Sequence, residues 1–203
     1  MTWLDKLRGR LARLAGWRRA AIAAGLGLVS ALGLPPVNFC PVLFVCVPLV
    51  WMLAETQAGG WRKAFRLGWC FGFGYFLFTL HWIGFAFLVD AEDYLWMMPF
   101  AVIGLVAFLS LYWGLAFAAV RLSGRRGLGG FLLFCASLGT AEMLRGRLLT
   151  GFPWGAPGLA ADGMGPVVQL AAFFGMEGLT PLVLLWAGIW PFALDSGRTR
   201  RSR

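Results

Sequence analysis

The stretch EMLRGRLLTGFPW, Glu142 to Trp154, brings together an acidic residue, two arginines and a proline set between two aromatic rings. Glu142 and Arg145 are three residues apart and share a helical face, so they can form an ion pair. Such a pair would close the end of a helix, where an arginine also favours the negative end of the dipole. Arg145 and Arg147 can instead turn outward, since the planar guanidinium fork suits a lipid phosphate or another anion. Past them, Gly151 and Gly155 leave the backbone free to turn while Pro153 fixes φ and biases Phe152 toward an extended form. This predicts a short rigid loop presenting Phe152 and Trp154. The loop is either an entrance for a phospholipid, with Trp154 beside the acyl chain, or an aromatic anchor at the headgroup level. Glu142, Arg145, Arg147, Phe152, Pro153 and Trp154 are therefore the candidate lipid-binding or substrate-binding residues.

Covalent chemistry has less to work with. Acyl transfer through a thioester needs an exposed thiolate beside a base. Cys40, Cys46, Cys70 and Cys135 all fall inside apolar runs without the paired spacing of a metal site or secreted disulfide, and read as buried inert thiols. The only lysines, Lys6 and Lys63, sit in basic clusters far from the candidate loop. His81, the sole histidine, lies in TLHWI with no metal-ligand companion or nucleophilic serine nearby. A lone histidine inside a membrane is costly unless partnered, so a hydrogen-bonded packing role is expected. No catalytic residue, metal or cofactor is expected in the chain.

The elements that must hold these residues are hydrophobic helices. Of 203 residues, 60% are hydrophobic and 13% charged, against about a quarter charged in a soluble domain. The net charge of +9 falls in short clusters between apolar runs of spanning length, which argues for membrane topology and against nucleic acid. The fold expected is an all-α integral membrane protein of six transmembrane helices: Ala20 to Leu34, Val37 to Ala54, Leu67 to Val89, Tyr94 to Val120, Leu128 to Leu144, and a last run from Pro166 to Leu194. Leu34-Pro35-Pro36 predicts a tight reversal between the first two. FFGMEG, Phe173 to Gly178, divides the last run into an interfacial half-helix, Pro166 to Phe174, and a span from about Gly178. Gly68 and Gly72 form a small-xxx-small face suited to helix packing.

Residues 1–19 are a basic segment whose Trp3, Leu4, Leu7, Leu11 and Leu14 recur at helical spacing, which predicts an amphipathic helix along the inner headgroup layer. Residues 20–194 form the transmembrane domain and 195–203 a basic tail. Placing both termini in the cytoplasm puts sixteen of the eighteen Lys and Arg inside, with Asp90, Glu92 and Asp93 outside. The two exceptions are Arg145 and Arg147.

AEMLRGRLLTGFPW, Ala141 to Trp154, resembles the signature of the apolipoprotein N-acyltransferase family, a variant of A-E-W-L-R-G followed by T-G-F-P-W. RKAFRLGWCFGFGYFLFTLHWIGFAFLVDAEDYLWMMPFA, Arg62 to Ala101, resembles the family's glycine and aromatic third span and the loop after it. GPVVQLAAFFGMEGLTPLVLL resembles its last span before a soluble domain. Phe85, Met143, Gly155 and Glu177 depart from the family pattern. The resemblance implies a bacterial inner-membrane protein, and a reaction in which an acyl chain passes from a phospholipid to the N-terminal cysteine of a lipoprotein. It also implies that Glu, Lys and Cys of a carbon-nitrogen hydrolase domain carry out the transfer. The chain stops at GRTRRSR before such a domain, so a truncated membrane domain, inactive alone, is expected. Its implied partners are phospholipid, the lipoprotein N-terminus and a separately encoded catalytic domain. The alternative is a non-catalytic lipid-binding or scaffolding protein. A transporter is disfavoured, because the chain shows no repeated half and few intramembrane charges.

Overall fold

A computed structural model describes residues 3–149 and 151–199, with side chains through Leu194. Thr150 of the T-G-F-P-W segment, the first two residues and the end of the basic tail lie outside it. Helices account for nearly all of the described chain, and no strand occurs among the described residues.

Helix α1, Trp3–Arg13, is the expected amphipathic element. Its buried Leu4 and Leu11 face the bundle, where it packs on the helix Leu43–Glu55, and Trp3 stacks on Trp190 with centroids 6.1 Å apart. Helix α2, Gly16–Ser30, begins before the apolar run, so Arg18 and Arg19 belong to its first turns. A 3-10 turn, Ala31–Gly33, and a cis Pro35-Pro36 bond then reverse the chain as expected. Helix α3, Leu43–Glu55, starts six residues later than the apolar run and holds only 13 residues, because residues 34–42 are spent on the reversal and a 3-10 turn with Pro41.

Helix α4, Trp61–Thr79, departs from the expected third span. The run does not continue straight to Val89 but bends by 46° into a 3-10 segment, His81–Leu88. Side chains at the bend bond to the carbonyls of the last turn, which competes with continuing the helix. Thr79 Oγ1 donates to the Tyr75 carbonyl at 3.1 Å and His81 Nδ1 to the Phe78 carbonyl at 2.5 Å. His81 is thus hydrogen-bonded as expected, yet it is exposed at the bend rather than packed inside a span. The short helix α5, Ala91–Tyr94, and a turn, Leu95–Met97, precede helix α6, Met98–Leu122, whose Pro99 occupies the first turn where its missing N–H is tolerated.

Helix α7, Gly127–Arg147, extends the expected fifth span by a turn. The last run is cut as FFGMEG predicts. A 3-10 segment, Pro157–Leu170, breaks at Gly165 (φ 63°), and helix α8, Ala171–Gly188, breaks at Gly175 (φ 66°, ψ 176°). Both glycines sit in backbone conformations closed to most side chains. Helix α9, Trp190–Thr199, follows a further interruption at Ile189, so the last helix stops short of Leu194 and a new one begins.

Among the described residues, α2 packs on α3 and α4, α4 on α6, α6 on α7, α7 on α8, and α8 on α3, closing six helices into a ring. Its centre is aromatic: Trp113 of α6 lies 4.8 to 5.2 Å, centroid to centroid, from Tyr75, Phe76 and Phe71 of α4. The Gly68 and Gly72 face serves this contact, since a Cβ on Gly68 would lie 2.6 Å from Phe117 Cγ and one on Gly72 would lie 3.3 Å from Ser110 Cα. The opposite face of α4 meets α2 still more closely. A Cβ on Gly74 would overlap the Ala24 carbonyl, and one on Gly27 the Phe71 carbonyl.

Three described stretches are long and apolar enough to cross a bilayer, Ala91–Leu122, Gly127–Arg147 and Pro157–Leu194, and the bent pair Trp61–Thr79 with His81–Leu88 makes a fourth. Glu92 and Gly124 lie beyond opposite ends of α6, whose 25 residues span about 37 Å. Single cysteines at these positions in a cysteine-free background are expected to react with an impermeant thiol reagent from opposite faces of the membrane. Labelling from one face only would overturn a crossing by α6.

Candidate functional site

The candidate residues gather where α7 ends. The first turns of α7 are glycine-rich and its last turn carries both arginines, with nothing acidic at its start, so the cations meet the negative end of the dipole. Glu142 and Arg145, both on the inward face, are 4% and 1% exposed. Arg145 Nη2 lies 2.5 Å from Glu142 Oε2 and Arg145 Nε 3.2 Å from Glu142 Oε1, a two-point pairing of fork and carboxylate. Trp113 Nε1 donates to the same Glu142 Oε1 at 2.7 Å. The Arg145 guanidinium also lies 4.9 Å from the centroid of the Phe76 ring.

The remaining nitrogen of Arg145 holds the loop. Arg145 Nη1 donates to the carbonyls of Phe152, at 2.5 Å, and Trp154, at 2.9 Å, while the Phe152 N–H returns to the Arg145 carbonyl at 2.8 Å. Residues 148–149 and 151–154 are thereby folded back on the end of α7. The turn needs Gly151, whose φ is 78° and whose missing Cβ is replaced by the Gly146 carbonyl. Gly155, φ 72°, brings the loop against Thr79 at the end of α4. Of the two uses open to Arg145, the pair with Glu142 is the one observed. Each of the three guanidinium nitrogens of Arg145 has an acceptor within the protein, and the side chain is turned inward at 1% exposure.

Arg147, Pro153 and Trp154 face outward. Arg147 Nη2 meets Glu177 Oε2 at 2.8 Å with both side chains largely solvent-facing, a kind of pair worth about 0–1 kcal/mol, so another anion can compete for it. Trp154, 60% exposed, meets Trp82 edge to face at 6.1 Å. Phe152 is half-buried against the core. The structure therefore brings all six candidates together but sorts them: Glu142 and Arg145 inside as the clamp, Phe152 at the boundary, and Arg147, Pro153 and Trp154 outside.

Several participants escaped the sequence, Trp113 and Thr180 among them. Trp113 comes from another helix, and no spacing rule links it to Glu142 twenty-nine residues away. Thr180, buried on α8, receives the Gly158 N–H at 3.1 Å and ties the chain beyond the loop to the bundle. Neither supplies a nucleophile. Among the described residues Cys40, Cys46 and Cys135 are buried and Cys70 half-buried, with Cys70 on α4 and Cys40 bonded through Sγ to the Ala160 carbonyl at 3.2 Å. Among the described residues the loop presents the exposed indoles of Trp154 and Trp82 and, beside them, the exposed guanidinium of Arg147.

Residues 26–189 match the family described as Apolipoprotein N-acyltransferase N-terminal domain. The chain is similar to proteins named apolipoprotein N-acyltransferase from Rhodopseudomonas palustris, 42% identical over 207 residues, and Allorhizobium ampelinum, 42% identical over 189 residues. These alignments cover 97% and 89% of this chain but only 39% and 36% of the relatives. A relative of the same name from Bradyrhizobium diazoefficiens is 44% identical over 173 residues, 83% of this chain and 32% of its own. The chain thus spans about a third of the length of the relatives it matches.

Proposed function

Because the chain belongs to the apolipoprotein N-acyltransferase family, through the N-terminal domain that residues 26–189 match, we propose that it is the membrane domain that seats the phospholipid acyl donor for lipoprotein N-acylation. The observation that carries this reading is the loop clamped by Arg145, which presents Trp154 to the surroundings beside Trp82 while its Phe152 and Trp154 carbonyls are held by the guanidinium. An acyl chain lies along the paired indoles, and Arg147, loosely held by Glu177, takes the phosphate. The lipoprotein N-terminus approaches the same end. The domain resides in the bacterial inner membrane with this end outward and the Lys and Arg clusters inward, six spans in all and both termini cytoplasmic.

The transfer itself is assigned to a carbon-nitrogen hydrolase portion outside these 203 residues, whether joined to them or carried by a second chain. The residues in hand supply the seat and not the nucleophile, since their thiols lie in apolar helices and turns. In cells depleted of their own N-acyltransferase, these 203 residues alone are expected not to restore growth. Fused to the part of the Rhodopseudomonas palustris relative beyond the matched region, they are expected to restore it. In that fusion, Arg147→Ala with Trp154→Ala is expected to slow lipoprotein N-acylation by roughly tenfold or more, through misplacement of the donor. Rescue by the 203 residues alone, or a fusion indifferent to the double substitution, would sink the proposal.

A further inference from the structure

At the opposite end of α4 from the clamped loop, the α1–α2 junction and the α3–α4 turn enclose a cavity of about 470 Å³. Lys63 and Arg66, one turn apart on α4 and both exposed, form part of its rim, and Arg19 and Gln57 line it further in. Among the described residues no carboxylate lines it. The floor is apolar, with Leu67 and Cys70 of α4.

Arg19 is only 4% exposed, yet the acceptors it has found are all neutral. Its Nη1 donates to the Leu53 carbonyl at 3.1 Å, and its Nη2 to the Leu11 carbonyl at 2.5 Å and Thr56 Oγ1 at 3.3 Å. These bonds knit α1, α2 and α3 together but bring no negative charge. Its Nε is buried with no partner, and so is Gln57 Oε1. A buried cation is costly without a counter-charge, and a buried donor is costly without an acceptor. The start of α4 adds to the imbalance. Its N-cap, Gly60, makes no side-chain capping bond, and its first turn has no acidic residue to offset the positive end of the dipole.

We infer that this cavity is a second lipid site, distinct from the loop at the other end of the bundle, and that it binds the phosphate of an anionic phospholipid. The phosphate supplies the missing charge to Lys63, Arg66 and the unpartnered Nε of Arg19. A hydroxylated headgroup also supplies the donor that Gln57 Oε1 lacks, which favours phosphatidylglycerol over a headgroup carrying its own cation. The apolar floor and Trp17, which lines the cavity at 76% exposure, suit a ligand with acyl chains rather than a free ion. The inference is independent of the function assigned to the loop.

Its test uses the 203-residue chain purified in mild detergent, with lipid retention read by native mass spectrometry and thermal unfolding read alongside. Phosphatidylglycerol is expected to be retained in preference to phosphatidylcholine and to raise the unfolding midpoint. Lys63→Gln with Arg66→Gln, both on exposed side chains, is expected to weaken phosphatidylglycerol binding by roughly thirtyfold. The lipid-free midpoint of this variant should match that of the wild type, since Arg19 and its three acceptors are untouched. Equal retention of the two lipids, or undiminished retention by the double variant, would overturn the site. Millimolar inorganic phosphate that protects as well as the lipid does would overturn the lipid as its occupant.

Discussion

Arg145→Ala is expected to lower the stability of the folded protein by about 3–5 kcal/mol, the usual consequence of removing one partner of a buried ion pair. Three losses coincide at this residue. Glu142 is left in the aromatic centre with only the Trp113 N–H bonded to it. The carbonyls of Phe152 and Trp154 lose their donor, and the loop loses its attachment to α7. Arg145→Lys is expected to recover little, because a single ammonium cannot span a carboxylate and two carbonyls as the fork does. Glu142→Gln with Arg145→Met removes both charges and is expected to be milder than Arg145→Ala alone. Thermal unfolding in detergent, followed by tryptophan fluorescence, ranks the variants. A midpoint for Arg145→Ala equal to that of the wild type would show that the clamp carries no stability.

Gly74→Val is expected to be the most disruptive single change at a helix contact. The added side chain would overlap the Ala24 carbonyl, a backbone atom of α2 that cannot rotate away. Overpacking a core costs typically about 1–3 kcal/mol and more where nothing can give. Here the relief is a separation of α2 from α4, which would also open the neighbouring contact of Gly27 with the Phe71 carbonyl. Gly104→Ala on α6 provides the contrast, since nothing lies within 4 Å of the added methyl. It is expected to be neutral or stabilising by about 0.5–1 kcal/mol through helix propensity. Equal yields of folded protein from Gly74→Val and Gly104→Ala would refute the close contact.

What could be foreseen in this chain was local. Glu142 and Arg145 are a helical turn apart, so their pairing follows from periodicity within one element. Gly151 and Gly155 of TGFPWG and Gly175 of FFGMEG mark breaks because the backbone there adopts angles most residues avoid. The partners that give those features their energetics come from elsewhere in the chain, as with Trp113 on α6 for Glu142 and Leu53 and Leu11 for Arg19. Arg19 counted in the sequence as one of many inward charges, and only the meeting of three helices makes it a buried clamp. The straight third span failed for a related reason. Hydropathy runs on through HWIGFAFLV, whereas Thr79 and His81 bond back to carbonyls and turn the chain.

The unequal helix lengths have a consequence for the surrounding bilayer. Thirteen residues give α3 a length of about 20 Å, some 10 Å less than a typical hydrocarbon core. Where α3 borders lipid, either the bilayer thins or residues 34–42 descend into it. The reversal is equipped for the second course, since the N–H groups of Asn38 and Phe39 bond to the Leu34 and Leu32 carbonyls and Cys40 Sγ to that of Ala160. Hydrophobic mismatch is therefore concentrated on one flank instead of being shared around the bundle. Longer acyl chains load that flank first, so membrane thickness acts on this protein from one side.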